Sequence, residues 1–145
     1  DMNRSRSLEI LSDEFSPGHE ALEIPLLGSV AAGMPLLTEE NLDGTLSISS
    51  EMLGIGNFFA LKVKGDSMIN AGIFDGDFAI IKQTNTAANG AIVVAWIQDD
   101  AVTLKRMFIE KNRIRLQAEN DAYPPIYTQE VRIAGQLQLV IRDYS

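Results

Sequence analysis

Apolar and β-branched residues come in short runs along most of the chain, and turn residues interrupt them about every 8 to 12 positions. This spacing is typical of short strands rather than of helices, whose apolar positions recur about every 3.6 residues. In residues 113–118, Arg-Ile-Arg-Leu-Gln-Ala, polar and apolar side chains alternate, as expected for a sheet with one face in water. The pattern predicts strands over residues 58–64, 78–83, 91–98, 102–109, 113–118 and 131–142.

Turn-forming residues lie between these predicted strands. Asp75-Gly76-Asp77 and Asn89-Gly90 contain residues that tolerate positive φ, and Pro124-Pro125 cannot continue a central strand. Gly135 interrupts the last run and predicts a bulge. Helix is nearly absent, apart from a single turn expected over residues 67–70. We therefore predict a compact, mainly β fold with little helix.

The chain of 145 residues is long enough for one domain. Its composition, 46% hydrophobic and 22% charged residues, is close to globular averages and allows a core to form. Residues 1–23 differ from the rest, because they carry eight charged side chains and the Pro17-Gly18 dipeptide. We predict a linker or tail over residues 1–23 and one folded domain over residues 24–145.

Acidic residues outnumber basic ones, 20 against 12, which gives a net charge of −8. Such a charge repels a phosphate backbone, so we expect little nucleic-acid binding by these residues. The absence of cysteine excludes a disulfide framework and a thiol nucleophile, and the single histidine leaves no cluster for a metal or for Ser-His-Asp chemistry. We expect no cofactor and no metal.

No apolar run in the sequence approaches the length of about 18 residues that a membrane span requires. The start, Asp1-Met2-Asn3-Arg4-Ser5, lacks the apolar segment of a signal peptide. A soluble cytoplasmic protein without a membrane partner is the prediction.

A hydroxyl nucleophile is available in Gly65-Asp66-Ser67-Met68, which ends a strongly apolar predicted strand. At a junction of strand and turn, several backbone amides can point at one spot, as an acyl-transfer site requires. Gly-Asp-Ser is also an ordinary turn composition. The motif alone leaves a structural turn and a serine nucleophile open, and the structural turn is the commoner of the two.

A base that could serve this serine is Lys105, in the predicted strand 102–109. Alternation places Lys105 on one face with Thr103 and Met107, between partly apolar neighbours. A solvated lysine has a pKa of about 10.4 and is no base at neutral pH, whereas desolvation lowers that pKa by as much as about 3 to 5 units. A solvated edge charge is the commoner role of a strand lysine.

A third segment, residues 30–35, reads Val-Ala-Ala-Gly-Met-Pro and has no bulky side chain near the Ala32-Gly33 bond. Small side chains let an extended backbone lie close inside a cleft. On chemistry alone, a flexible connector is the commoner interpretation.

The three segments occur in the same order in the LexA family of self-cleaving repressors, which this sequence resembles. Residues 24–37 are similar to the family's cleavage region, with the scissile bond at Ala32-Gly33. Gly65-Asp66-Ser67-Met68 is similar to its nucleophile motif, and Thr103-Leu104-Lys105-Arg106 to the segment that carries its lysine base. The resemblance covers residues 24–142, and three ordered motifs are far more specific than any one of them.

The resemblance implies a β fold of the LexA and signal-peptidase type and a serine peptidase that acts on its own chain. Ser67 would attack the carbonyl of Ala32, neutral Lys105 would take its proton, and the backbone N–H groups of Asp66 and Ser67 would bind the oxyanion. The cleavage loop would lie around residues 30–36. The neighbours of the Ala32-Gly33 bond in this loop are Val30, Ala31 and Met34.

The partners that the resemblance implies are a second copy of the chain, operator DNA, and a RecA filament on single-stranded DNA as the trigger. Residues 4–11 are similar to the stretch that leaves the family's winged helix-turn-helix domain, so we expect that domain upstream and the DNA-reading surface within it. Cleavage would then induce the genes of the SOS response to DNA damage. For the dimer, the last strand, residues 135–142, is either the edge used or an interior strand.

Three other functions stay open. A UmuD-like accessory subunit of a translesion polymerase would share the fold but have no upstream DNA-binding domain. An inert dimerisation domain would carry Ser67 and Lys105 without using them. A signal-peptidase-like enzyme would use the same two residues on other proteins, but the sequence has no membrane anchor to bring it to them.

Overall fold

The computed structural model describes residues 20–28, 36–97 and 101–144. In these ranges, nine strands form one sheet, with one short helix, α1 (Ser50–Leu53), and a 3-10 helix at Ile69–Ala71. The mainly β fold with little helix is confirmed. The strands are β1 (Ala21–Leu27), β2 (Leu42–Ser49), β3 (Phe58–Lys62), β4 (Phe78–Gln83), β5 (Ile92–Ile97), β6 (Ala101–Glu110), β7 (Arg113–Gln117), β8 (Ile126–Thr128) and β9 (Ile133–Ile141).

The strand order across the sheet is β2-β1-β3-β4-β9-β5-β6-β7-β8. Strands β1 and β3 are parallel, and the other neighbouring pairs are antiparallel. Of the two places left open for the last strand, β9, the interior one applies, because β9 lies between β4 and β5, although among the described residues its positions 137–141 pair with β4 alone. Among the described residues, no helix is long and apolar enough to cross a bilayer.

Each of the six predicted strands is present, with ends that differ by up to two residues. Three strands were not predicted: β1, β2 and β8. In β2, Asp43 and Gly44 break the apolar pattern, and most of the strand is exposed. Strand β1 begins at Ala21, so the sheet includes residues 21–23, which the charge pattern assigned to the linker. Glu23 of β1 pairs with Ser47 of β2. The high density of charged residues in this segment did not indicate that its end belongs to a strand.

The core is divided into three clusters of buried apolar side chains along the sheet. The middle cluster brings together β1, β3, β4 and β5, and side chains of β6 pack against it. Its buried members are Leu27, Phe59, Ala79, Ile81 and Val94. Because this cluster fixes β3 relative to β6, it also fixes the two segments that carry the candidate nucleophile and the candidate base.

Gly135, where a bulge was predicted, lies at an irregular point of the sheet. The register between β5 and β9 shifts beside it, between Val94 and Ala95. A Cβ atom at Gly135 would lie 2.6 Å from the carbonyl oxygen of Lys82 and would also overlap the side chain of Ile81. Only glycine allows β9 to approach β4 this closely.

Candidate active site

Ser67 lies in the turn that follows β3. That turn begins with Gly65 at φ +82°, a conformation that favours glycine, and the Gly65 N–H donates to Asp75 Oδ1 at 2.7 Å. The next residue after Ser67, Met68, is only 2% exposed and anchors the turn in the core. The 3-10 helix at Ile69–Ala71 then carries the chain onward, close to the single turn predicted over residues 67–70. The serine is thus held half-buried at the end of a buried strand.

Lys105 lies on β6, opposite Val93 of β5. Its Nζ atom is 3.3 Å from Ser67 Oγ, 2.7 Å from Thr103 Oγ1 and 3.2 Å from the carbonyl oxygen of Leu104. Strand alternation placed Thr103 and Lys105 on one face, and the short contact between their side chains agrees with it. The structure therefore brings together a serine and a lysine that are 38 residues apart in sequence.

The three oxygen atoms around Lys105 Nζ are all uncharged, and Lys105 forms no ion pair among the described residues. Burial without a counter-charge lowers the pKa of the Lys105 amine. A neutral amine has two N–H donors and one lone pair, which match two acceptors, Thr103 Oγ1 and the Leu104 carbonyl, and one donor, the Ser67 hydroxyl. The site thus suits a lysine that accepts the serine proton.

The two side chains open into a cleft of about 260 Å³ between β3, β6 and the end of β1. Leu61, Val63, Val102 and Leu104 give the cleft apolar walls, and Gly28 borders it directly after β1. An extended stretch of backbone with small side chains fits a cleft of this shape. The segment predicted to enter it lies outside the described residues: Val30, Ala31, Ala32, Gly33 and Met34.

The turn also presents backbone donors. Within the described part of the chain, neither the Asp66 N–H nor the Ser67 N–H donates a hydrogen bond. Two unpaired amides beside a nucleophile are the kind of group that can bind a developing oxyanion. The Asp66 carboxylate is engaged elsewhere, because Asp66 Oδ1 accepts from the Tyr123 hydroxyl at 2.6 Å.

Two contributors to the site were not predicted from the sequence. The carbonyl oxygen of Leu104 contacts Nζ because the lysine side chain folds back over its own strand, and no residue type signals that. Tyr123 reaches Asp66 across 57 positions of sequence. A contact between residues this far apart leaves no local pattern in the sequence.

Known proteins are similar to this chain in sequence over nearly its whole length. Residues 25–138 match the Peptidase S24-like family. A LexA repressor of Caldicellulosiruptor saccharolyticus is 46% identical over 142 residues, which cover 98% of this chain and 70% of that protein. LexA repressors of Clostridium acetobutylicum and Clostridium novyi are 45% and 48% identical over 145 and 147 residues, covering 99% of this chain and 70% and 71% of those proteins.

Proposed function

Because the chain belongs to the Peptidase S24-like family and is a LexA-type repressor, we propose that Ser67 and Lys105 cut its own backbone between Ala32 and Gly33. The observation that carries this proposal is the distance of 3.3 Å between Lys105 Nζ and Ser67 Oγ in a cleft that lowers the lysine pKa. A general base must lie within hydrogen-bond reach of the proton it removes and have a pKa near the working pH. Burial without a carboxylate moves Lys105 towards that condition.

The reaction begins when neutral Lys105 takes the Ser67 hydroxyl proton and Ser67 Oγ attacks the carbonyl carbon of Ala32. The tetrahedral intermediate collapses as the bond between Ala32 and Gly33 breaks, and the lysine ammonium returns its proton to the departing amine of Gly33. An ester between Ser67 and Ala32 remains. Water, deprotonated by the same lysine, hydrolyses that ester and restores the serine.

The oxyanion of the tetrahedral intermediate would be bound by the backbone N–H groups of Asp66 and Ser67. Both amides are without a partner in the described residues, and both lie in the turn that carries the nucleophile. Each donor of this kind typically contributes a factor of about 10² to 10³ to the rate.

Only a few residues of chain separate the scissile bond from the wall of the cleft. Gly28 borders the cleft, and Ala32 lies four residues further along the chain, so an extended backbone spans at most about 14 Å between them. Holding nucleophile and peptide in one molecule is equivalent to a concentration of about 10⁵ to 10⁸ M. The site therefore needs no affinity for an external substrate, and control rests on whether the segment with Val30, Ala31 and Met34 is docked.

The partners are part of the proposal. By family resemblance, a RecA filament on single-stranded DNA binds the docked state more tightly than the undocked state and so speeds cleavage. Operator DNA would be bound by a domain upstream of these residues. Two copies would pair through this domain, and β9 leaves room for such pairing: among the described residues it pairs with β4 from Gly135 to Ile141 but with β5 only from Ile133 to Gln136.

The test is the intact mass of the chain after incubation at about pH 7 and at about pH 10, the second near the reference pKa of lysine. Wild type should split between Ala32 and Gly33, faster at the higher pH, while Ser67→Ala and Lys105→Ala stay whole. A RecA filament with ATP should speed the cut at neutral pH. If wild type stays whole at alkaline pH and with RecA, the chain is an inert dimerisation module and the roles given to Ser67 and Lys105 are wrong.

A further inference from the structure

The turn that carries Ser67 is tied to the loop that follows β7. Asn120 Nδ2 donates to the carbonyl oxygen of Asp66 at 2.9 Å, and the Tyr123 hydroxyl donates to Asp66 Oδ1 at 2.6 Å. One step further on, the Asn70 N–H donates to the carbonyl oxygen of Glu119 at 2.8 Å. These contacts join segments about fifty residues apart, and the chemical steps above do not use them.

The contact from Asn120 bears directly on one oxyanion donor. The carbonyl of Asp66 and the N–H of Ser67 belong to the same planar peptide group, and in a trans peptide they point in opposite directions. A hydrogen bond that fixes the Asp66 carbonyl therefore also fixes the direction of the Ser67 N–H. If that bond is lost, the Ile69 N–H, at 3.3 Å, is the one remaining donor to the Asp66 carbonyl among the described residues, so the direction of the Ser67 N–H is held less firmly.

Asn120 is itself held in the orientation that this role requires. Its Oδ1 atom accepts from the Ala122 N–H at 2.9 Å, so its Nδ2 group faces Asp66. The Tyr123 N–H donates to the Asn120 carbonyl at 3.1 Å, which closes the loop on itself. Glu119 contacts Arg106 on β6, at 3.4 Å, directly after Lys105. The loop thus links the turn of the nucleophile to the strand of the base.

We propose that Asn120 and Tyr123 are positioning residues for self-cleavage. Asn120 orients the Asp66-Ser67 peptide so that the Ser67 N–H faces the oxyanion, and Tyr123 fixes the Asp66 side chain so that the turn keeps this geometry. The inference rests on the proposed function, because it assigns roles within the same reaction.

The Tyr123 contact persists under the conditions in which the reaction is fastest. Its hydrogen bond to Asp66 raises the pKa of the Tyr123 hydroxyl, because ionisation would place two negative charges side by side. The hydroxyl therefore remains a donor in the alkaline range where Lys105 is neutral.

The experiment measures the first-order rate of loss of intact chain from about pH 7 to about pH 10. Asn120→Ala should lower the plateau rate about tenfold, because the Ser67 N–H is then held less firmly in the direction of the oxyanion. Tyr123→Phe should lower it about threefold, because one hydrogen bond is removed. In both variants, the pH at which the rate rises should match wild type. A role that only stabilises the cleft would instead let water reach Lys105 and move that rise to higher pH.

Two matched controls lie away from the turn. Asn89→Ala removes another side-chain contact to backbone, between Asn89 Oδ1 and the Ile109 N–H at 2.7 Å, and Tyr127→Phe removes the hydroxyl of another exposed tyrosine. Both should cleave at the wild-type rate. Thermal melting of all variants checks that they are folded, and if Asn120→Ala is not, Tyr123→Phe decides, because it removes only one exposed oxygen atom.

The outcomes separate this inference from the proposed function. If wild type cleaves and both Asn120→Ala and Tyr123→Phe cleave as fast, the positioning roles are overturned and the function stands. A shifted pH rise in the variants also overturns them, since it shows an effect through Lys105. If wild type stays whole at every pH, the function is overturned and the positioning roles with it.

Discussion

Two cationic side chains of this domain, Lys105 on β6 and Arg142 directly after β9, have opposite surroundings. Lys105 faces three uncharged oxygen atoms and no carboxylate among the described residues. Arg142 donates from Nε and Nη2 to the two carboxylate oxygens of Asp77, both at 2.8 Å, and from Nη2 to the carbonyl of Gly72 at 2.8 Å. Lys105 is thus partly desolvated without a counter-charge, whereas Arg142 is exposed and pairs with a buried carboxylate.

The pKa values follow these surroundings. Burial lowers the pKa of Lys105, whereas the hydrogen bond to Asp77 raises the pKa of Arg142. The same bond lowers the pKa of Asp77, although that carboxylate is only 1% exposed. A charge that is buried with a partner, as the Asp77 carboxylate is with Arg142, stays charged and is structural. A charge that loses water and gains no partner is driven towards its neutral, reactive form.

The largest effect is expected when Lys105 is replaced by a residue that stays charged. Lys105→Arg keeps the cation, but a guanidinium stays protonated at any pH the protein tolerates. Cleavage should slow by a factor of about 10² to 10⁴, the range attributed to a general base. Intact mass after alkaline incubation measures it, with Lys62→Arg, at another lysine that lines the cleft, as the control. A Lys105→Arg chain that still cleaves at the wild-type rate would remove the lysine from the mechanism.

A second test removes the partner of a buried charge. In a Ser67→Ala background, which is expected to prevent cleavage, Arg142→Ala leaves the buried Asp77 carboxylate with one partner within the described ranges, the Phe74 N–H. The midpoint of urea unfolding should fall by about 1 M. Arg113→Ala, which breaks an exposed pair with Glu110, should lower it by less than about 0.3 M. Equal shifts of the urea midpoint for the two variants would mean that the buried pair of Asp77 contributes no more to stability than the exposed pair of Glu110.

The smallest expected effect is on stability, because burying Lys105 without a counter-charge lowers the free energy of unfolding. The pKa of Lys105 is lower in the folded chain than in the unfolded chain, so between the two values the unfolded chain binds more protons and stability rises with pH. In the Ser67→Ala background, Lys105→Met should therefore raise the urea midpoint at about pH 7, by less than about 0.5 M, and the gain should shrink by about pH 10. A gain that stays constant with pH would mean that it comes from packing rather than from charge.

The sequence predicted the parts of the fold whose pattern follows from burial. Strand β7 alternates because one of its faces is exposed to water. Residues 78–81 of β4 are continuously apolar because both faces are in apolar clusters, Ile80 in one and Ala79 and Ile81 in another. It did not predict β2, whose pairing with β1 satisfies backbone groups while most of its side chains are exposed. Nor did it predict the place of β9 in the sheet, because strand order depends on contacts between distant segments.

The sequence likewise predicted some features of the candidate site and not others. Composition reduced the possible nucleophiles and bases to a few, alternation placed Thr103 beside Lys105, and the family resemblance paired Lys105 with Ser67. The contacts of Asp66 with Asn120 and Tyr123 could not be predicted, because they need the exact path of a loop. The cleavage loop around residues 30–36 remains a prediction, since most of it lies outside the described residues.

Gly28 directly follows β1 and borders the cleft. A substrate that is tethered at the wall of its own active site meets the nucleophile at a frequency that dilution does not change. Under the proposed function, each molecule therefore has a lifetime of its own, independent of how many copies surround it. A cell with few copies and a cell with many would lose the same fraction of them per minute after the same signal, so the duration of the response would not depend on the starting stock.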